Sequence, residues 1–432
     1  MDNIRFRNVL ASLVSASSLA IGAVGCEPTS SPAEWSVSSE VLANGASRVV
    51  NTPPAGDEEP TWWIEQDLRV GSIDDPGPTS FGEVLGIAVL EDGRFAVLET
   101  QSQELRIFDR DGSHLATYGG KGEGPGELAG AFGLMRAPDG NLWVPDHRNA
   151  RMSVFHPSEG FVRTLPLRLL RRGYVWSGVM GAEGRVLKRS ILMDEARSPV
   201  LRVYDSEMTL LDSLPLPREP EIDQEDPPTS FVWKTSGGFG YRRVPFFANM
   251  VVALDPAGAI WSTAFADPSY RIYRWTPGGD TTMVIETPRS PVSVTAAERD
   301  SIIEVVSAEL RGRGGSVQQD WSKIPEVKPS VMAMFLSEEG QLWVRRPSTD
   351  GLIHYDVYDR DGRRAGGAAT DLPLWPYLAP VVRGDEFWAV VTDEFEVPYV
   401  VRSRLIPFEC RLDTPTVGEA RAVCLATNEG GA

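Results

Sequence analysis

The side chains able to do chemistry in this 432-residue chain are few and scattered. Only four histidines occur, His114, His147, His156 and His354, and none falls in a segment read below as an innermost strand. A catalytic zinc wants about three converging protein ligands, and the sequence offers no such cluster. No Gly-x-Ser-x-Gly elbow with a downstream acid and histidine is present, which argues against a serine hydrolase. The run GGKGEGPGEL from Gly119 to Leu128 invites a phosphate-loop reading. No helical pattern follows it, however, and Pro125 removes one backbone donor, so it reads as a structural turn. What remains is a hard cation such as calcium, held by carboxylate and amide oxygens. Glu83 and Asn249, each just ahead of an apolar strand-like run, are the candidates, and calcium wants six or more oxygens. No catalytic residue and no cofactor site is expected.

The elements that would position such residues repeat along the chain. The motif is an apolar run, an acidic-Gly turn and a second apolar run. Gly86–Leu90, Asp92-Gly93 and Phe95–Leu98 form one copy; Gly133–Arg136, Asp139-Gly140 and Leu142–Val144 form the next. Asp-Gly between apolar runs marks a tight hairpin, because glycine supplies the positive φ. Each hairpin precedes another pair of strand-like runs, such as Glu104–Asp109 with His114–Tyr118. Four short strands in about 40–45 residues is the unit of a β-propeller. Turn glycines at 93, 140, 184, 258, 340 and 384 give intervals of 47, 44, 74, 82 and 44. The two long intervals read as one unit plus an insertion, at about residues 217–246 and 287–330. The expected fold is therefore all-β: a six-bladed β-propeller of four-stranded antiparallel blades over 60–406, with one helical insertion. The last unit lacks an outer strand, and Trp62–Val70 can supply it, closing the ring. Within the second insertion Thr295 and Glu298 make a capping box, and Ile302, Ile303, Val306 and Leu310 share a helical face. Trp143, Trp261, Trp343 and Trp388 recur at matched places after the hairpins, which signals packing between blades rather than a ligand platform.

The two ends have their own logic. Arg5 and Arg7 precede an uncharged apolar or small run, Val9–Val24, shorter than the roughly 20 residues of a membrane span and suited to a secretory signal. It ends at Ala23-Val24-Gly25-Cys26, which resembles the bacterial lipobox. That resemblance implies a lipoprotein with a signal peptide over 1–25, acylated on Cys26. Glu27 after it leans toward the outer membrane, facing periplasm or surface. Residues 26–59, rich in Ser, Pro, Ala and Gly, are expected to be a disordered tether. The remaining cysteines, Cys410 and Cys424, lie in the C-terminal tail (407–432) and can form a disulfide in an oxidising compartment. The net charge of −18 disfavours nucleic acid as a partner. The expected partners are the membrane, through the lipid, and an unidentified protein or small molecule.

The residues Gly119–Leu128, Pro138–Asp146, Asn149 and Arg151–Phe155 together are similar to the NHL repeat. Its pattern runs from a Gly-Pro-Gly loop through an Asp-Gly hairpin to Asp-x-x-Asn-x-Arg and a strand ending in Phe. In the preceding unit Glu99, Ser102 and Glu104 stand where Asp, Asn and Arg are usual. The resemblance implies a six-bladed propeller throughout, and the arrangement also looks like lipid-anchored propellers of Gram-negative envelopes. A non-enzymatic binding or scaffolding module is the function these readings favour. The alternative follows from gluconolactonase-like enzymes, which share the fold: a calcium-dependent lactonase or esterase using the central channel, with Glu83 and Asn249 as remnants of its ligand set.

Overall fold

A computed structural model describes residues 34–55, 60–167, 174–192, 198–217, 226–235, 238–312 and 318–411. The expected signal peptide (1–25), Cys26 and Cys424 lie outside the described residues. The architecture is all-β and of the propeller type. Four-stranded antiparallel meanders follow one another along the chain, starting with the set from Val84–Val89 to His114–Gly119, the set from Met135–Arg136 to Gly160–Pro166, and the set from Gly178–Met180 to Leu210–Pro215. A fourth meander runs from Val252–Leu254 to Thr281–Glu286 within a six-stranded sheet. An eight-stranded sheet then holds the strands from Ala333–Leu336 to Arg364–Thr370 and from Val381–Arg383 to Pro398–Pro407. All six turn glycines of the repeat adopt positive φ, between 57° and 97°.

The expected pairing of Trp62–Val70 is present. This strand lies antiparallel to Pro398–Pro407, with Ile64 opposite Leu405 and Val70 opposite Val400, and touches Arg364–Thr370 in parallel. It carries buried Trp63, Ile64 and Val70 into the sheet, so the start of the domain supplies the outermost strand of its end. Neighbouring inner strands approach closely where glycine permits. A Cβ on Gly86 would sit 2.5 Å from Leu134 Cβ, and one on Gly133 would sit 2.2 Å from Trp176 Cβ. The four matched tryptophans are buried in the packing between sheets, as their spacing implies.

One expectation needs correction. The segment 26–59 is not a disordered tether throughout. Ser36–Val41 and Ser47–Thr52 form a hairpin whose second strand pairs in parallel with Thr281–Glu286. Asn51, fully buried, fixes it: its Nδ2 donates to Gly362 O at 3.0 Å, and its Oδ1 accepts from Arg364 N at 2.8 Å. This one amide satisfies two backbone groups of a neighbouring turn, which offsets the ordering entropy of a polar segment. The insertion at 217–246 contains regular structure among its described residues. Ser230–Thr235 and Gly238–Arg243 form a hairpin, and Phe231, Trp233 and Val244 pack with Val306, Leu310 and Ile324 of the second insertion. The helix Ala296–Gly312 thus buries the face read from its sequence, against the other insertion. Its capping box forms, with Glu298 N donating to Thr295 Oγ1 at 3.2 Å and Thr295 N to Glu298 Oε2 at 2.9 Å.

Candidate functional site

The loops after the second strand of the first two meanders are set by equivalent side chains. Asp146 ends the strand Leu142–Asp146 and is fully buried. Its carboxylate accepts from Ala129 N at 3.1 Å, Gly130 N at 2.8 Å and Asn149 Nδ2 at 2.7 Å, so it latches the incoming connector to its own sheet. Arg151 donates to the carbonyls of Glu123, Gly124 and Glu127, at 3.0, 2.7 and 2.6 Å. Those bonds tie three carbonyls of the glycine-rich loop to the following strand, as befits a structural turn. Asp146, Asn149 and Arg151 are therefore architectural.

The preceding meander solves the same problem with other residues. Glu99 ends the strand Phe95–Glu99 and accepts from Gly82 N, Glu83 N and Ser102 N at 3.1, 3.0 and 2.6 Å. Burial pushes the Glu99 carboxyl up, but the Ser102 and backbone donors outweigh it and hold the group below its ordinary range. Arg106, two places beyond Glu104, supplies the guanidinium, donating to Pro78 O at 3.0 Å and Ser80 O at 2.6 Å. Sequence matching at fixed spacing missed it, because the role moved along the strand to the next residue on the same face.

This latch aims Glu83. With its N–H on Glu99 and its carbonyl accepting from Thr100 N at 2.8 Å, the residue is fixed at the head of the inner strand Val84–Val89. Its carboxylate accepts from the hydroxyls of Tyr174 and Thr100. Around it opens a cleft of about 500 Å³, lined by Tyr174, Trp375, Tyr377 and Glu396 among others. The three rings form one cluster. Tyr174 lies 6.0 Å from Trp375 and 5.6 Å from Tyr377, and Trp375 lies 5.3 Å from Tyr377. Tyr174 and Tyr377 are 44% and 63% exposed, which makes this a wet aromatic wall rather than core. Trp375 is held by its N–H on Val390 O at 2.8 Å. Sequence reasoning missed the trio, since about 200 residues separate Tyr174 from its partners and no local period links them.

Asn249 sits elsewhere. It lines a different cleft, with Arg189, Tyr241 and Arg243, and its Nδ2 donates to Phe247 O at 3.2 Å. The structure therefore does not bring Glu83 and Asn249 to one point. No group of three or more His, Cys, Asp or Glu side chains placed to hold a metal occurs among the described residues. Cys410 is disulfide-bonded and buried, while Cys424, its expected partner, lies outside the described residues. No helix among the described residues is long and apolar enough to cross a membrane.

No protein-family model matches the chain, and no curated protein matches it. Among solved structures it is similar to a Bacteroides fragilis protein described as exported, at 11% identity over 83% of this chain and 99% of that one, with TM-score 0.46. It is similar to virginiamycin B lyase of Staphylococcus aureus at 12% identity, over 86% and 100% of the two chains, with TM-score 0.38. A third likeness is the aldose sugar dehydrogenase of Streptomyces coelicolor, at 11% identity over 81% and 100%, with TM-score 0.41. At such scores these likenesses assign neither an activity nor a ligand.

Proposed function

We propose that this chain is a six-bladed, non-enzymatic binding propeller, held in a bacterial cell envelope by lipid on Cys26. The blade count is supported by the order of the inner strands. Val381–Arg383 neighbours Val84–Val89, which neighbours Met135–Arg136, which neighbours Gly178–Met180; Val252–Leu254 neighbours Ala333–Leu336. Kinship with NHL repeats is supported by the latch at Asp146, Asn149 and Arg151.

The observation that carries the binding reading is the cleft at Glu83. The Glu83 carboxylate, steadied by two hydroxyl donors, faces three partly exposed rings across a pocket large enough for a sugar residue or two, with Glu396 also on its wall. Such a site suits a neutral ligand with a flat apolar face and peripheral hydroxyls, of which carbohydrates are the common class. Rings accept the C–H face, and the carboxylate accepts from the hydroxyls. A glycan array followed by calorimetry of the best neutral oligosaccharide tests it. Trp375→Ala and Glu83→Gln are expected to weaken binding about tenfold each, the equivalent of one lost aromatic contact or charged hydrogen bond. Tight calcium binding accompanied by turnover of a lactone and ester panel would overturn this reading in favour of a hydrolase. Incorporation of an alkyne-tagged fatty acid that Cys26→Ser abolishes is the result expected of the anchor; equal labelling of both proteins would reject it.

A further inference from the structure

The residue that ends the second strand is a carboxylate in two meanders and a guanidinium in another. Glu99, Asp146 and Arg346 each stand six places past a turn glycine, Gly93, Gly140 or Gly340, and each closes its strand. The register across to the next strand is matched as well: Glu99 faces Glu104, Asp146 faces Arg151, and Arg346 faces His354. Where Asp146 draws the incoming connector against the sheet by accepting from its backbone N–H groups, Arg346 is a donor only and offers them no acceptor. The connector there directs its own N–H groups elsewhere, Ser330 N to Pro268 O at 3.0 Å and Lys328 N to Val292 O at 2.8 Å. Between connector and sheet lies a cleft of about 740 Å³.

The lining of this cleft is rich in cationic and hydroxyl groups, with one carboxylate, Asp350, at its rim. Arg289, Arg346 and His354 face it together with Ser290, Ser348 and Thr349. Behind them a single fully buried carboxylate, Asp356, serves several donors: Tyr270 OH at 2.8 Å, Arg289 Nη2 at 2.9 Å and Arg364 Nε at 3.4 Å. Arg346 Nε lies 3.9 Å from Asp356, beyond hydrogen-bond reach, and this buried N–H has no acceptor among the described residues. Arg346 Nη2 donates instead to His354 Nδ1 at 3.1 Å, and His354 Nε2 donates to Asp350 Oδ2 at 2.7 Å. Burial, then the charge of Arg346, holds His354 below its ordinary range, so it is neutral at pH 7 and acts as a brace. Trp35 covers the back of the cluster, its ring 4.0 Å from the Arg364 guanidinium and 5.3 Å from that of Arg289. Three guanidinium groups thus converge on the buried Asp356 carboxylate, in a chain whose overall charge is −18.

We infer that this cleft, between the fourth and fifth meanders and walled by Pro53 and Pro54 after the N-terminal hairpin, is a binding site for a small organic oxyanion, gripped through its phosphate or carboxylate head by Arg346 and Arg289. A guanidinium fork matches either head in bidentate geometry, and the surrounding hydroxyls satisfy the remaining oxygens. The site is distinct from the Glu83 cleft and stands whether or not that cleft binds sugar.

Calorimetry at low ionic strength with inorganic phosphate and with citrate, on the full chain, tests the site and tells the two heads apart. Binding of at least one probe is expected, weakened about tenfold or more in Arg346→Gln, the loss of one charged hydrogen-bonding pair. Thr349 is exposed at the rim and outside the Asp356 network, so its substitution leaves the fold intact. Thr349→Glu is expected to weaken the same probe by several-fold and Thr349→Lys to strengthen it. Absence of heat with both probes up to about 10 mM would overturn the inference. So would affinities unchanged by Arg346→Gln and by both Thr349 variants, since the anion would then sit elsewhere.

Discussion

Replacing Asp146 by alanine tests whether the latch holds one sheet to the next. The carboxylate is fully buried and accepts three hydrogen bonds, two from backbone N–H groups that have no other acceptor within the turn. A hydrogen bond to a charged group contributes about 1.5–3 kcal/mol, and a buried donor left unsatisfied costs about 1–3 kcal/mol. These contributions overlap rather than add, and removal of a buried charge returns part of its desolvation cost. The net loss expected is about 3–5 kcal/mol. For a cooperative unit of this size, about 1.5 °C of melting temperature corresponds to 1 kcal/mol, so the variant should melt about 5–7 °C lower. Asp146→Asn keeps one acceptor oxygen but turns an NH₂ toward a backbone donor, and should lose about half as much. The assay is scanning calorimetry of the purified chain at matched scan rates, with far-ultraviolet circular dichroism confirming an unchanged strand signal. A melting point for Asp146→Ala within about 1 °C of the parent would refute the latch argument, because no reading of two orphaned buried N–H groups allows so small a cost.

Other outcomes follow from the same geometry. Arg106→Ala should cost about 2–4 kcal/mol, since it strips donors from Pro78 and Ser80 carbonyls, whereas Glu104→Ala should cost under about 1 kcal/mol; reversed ranking in urea titrations would show that the guanidinium role was misplaced. Deleting residues 60–70 removes the strand paired along Val400–Pro407 and should abolish the single cooperative transition; an unaltered melt would count against closure by this strand. His354 is neutral when folded, while the unfolded chain takes up a proton near pH 6.5. Its contribution is therefore complete above about pH 6.5 and declines as the pH falls toward the lowered folded value. With Arg346, Asp350 and Asp356 as the charged groups facing it, the urea midpoint of the parent should drop more between pH 7.5 and 5.5 than that of His354→Gln. Identical drops would exclude a role for this histidine.

Much of the scaffold was legible because it is written locally. Each hairpin carries its own acidic-Gly turn, each matched tryptophan sits at a fixed distance from that turn, and the capping box at Thr295 and Glu298 announces its helix. The N-terminal hairpin was not legible for the opposite reason. Ser36–Val41 is exposed along its whole length, and Ser47–Thr52 buries only Val49 and Asn51, so no alternation marks them as strands. Their stability comes from pairing with Thr281–Glu286, more than 230 residues away, and from Asn51 reaching Gly362. The aromatic wall at Glu83 failed to show for the same cause, being assembled from Tyr174, Trp375 and Tyr377 by the closing of the sheets. Arg346 is a different case. Counting six places past each turn glycine gives Glu99, Asp146, Ser190, Ala264, Arg346 and Val390, so the change of charge was readable once the units were laid side by side.

That change goes with a larger cleft at one junction, about 740 Å³ beside Arg346, than at another, about 480 Å³ beside Ala129, Gly130 and His147. A carboxylate at the end of the second strand is an acceptor, and the nearest donors are the N–H groups of the connector, so the two draw together. A guanidinium is a donor only, and the connector offers it carbonyls solely if it approaches with the opposite face. In the fifth meander the connector is instead lengthened by the helical insertion and anchored to Pro268 and Val292, so its N–H groups are already satisfied. Arg346→Asp would therefore not tighten the junction. The introduced carboxylate would meet Asp356 with no backbone donor between them, and like charges would repel. Stability should fall rather than rise, although the substitution copies the residue that stabilises the second meander. The same position thus tightens a junction or loosens it, according to which hydrogen-bonding groups the facing connector has left to give.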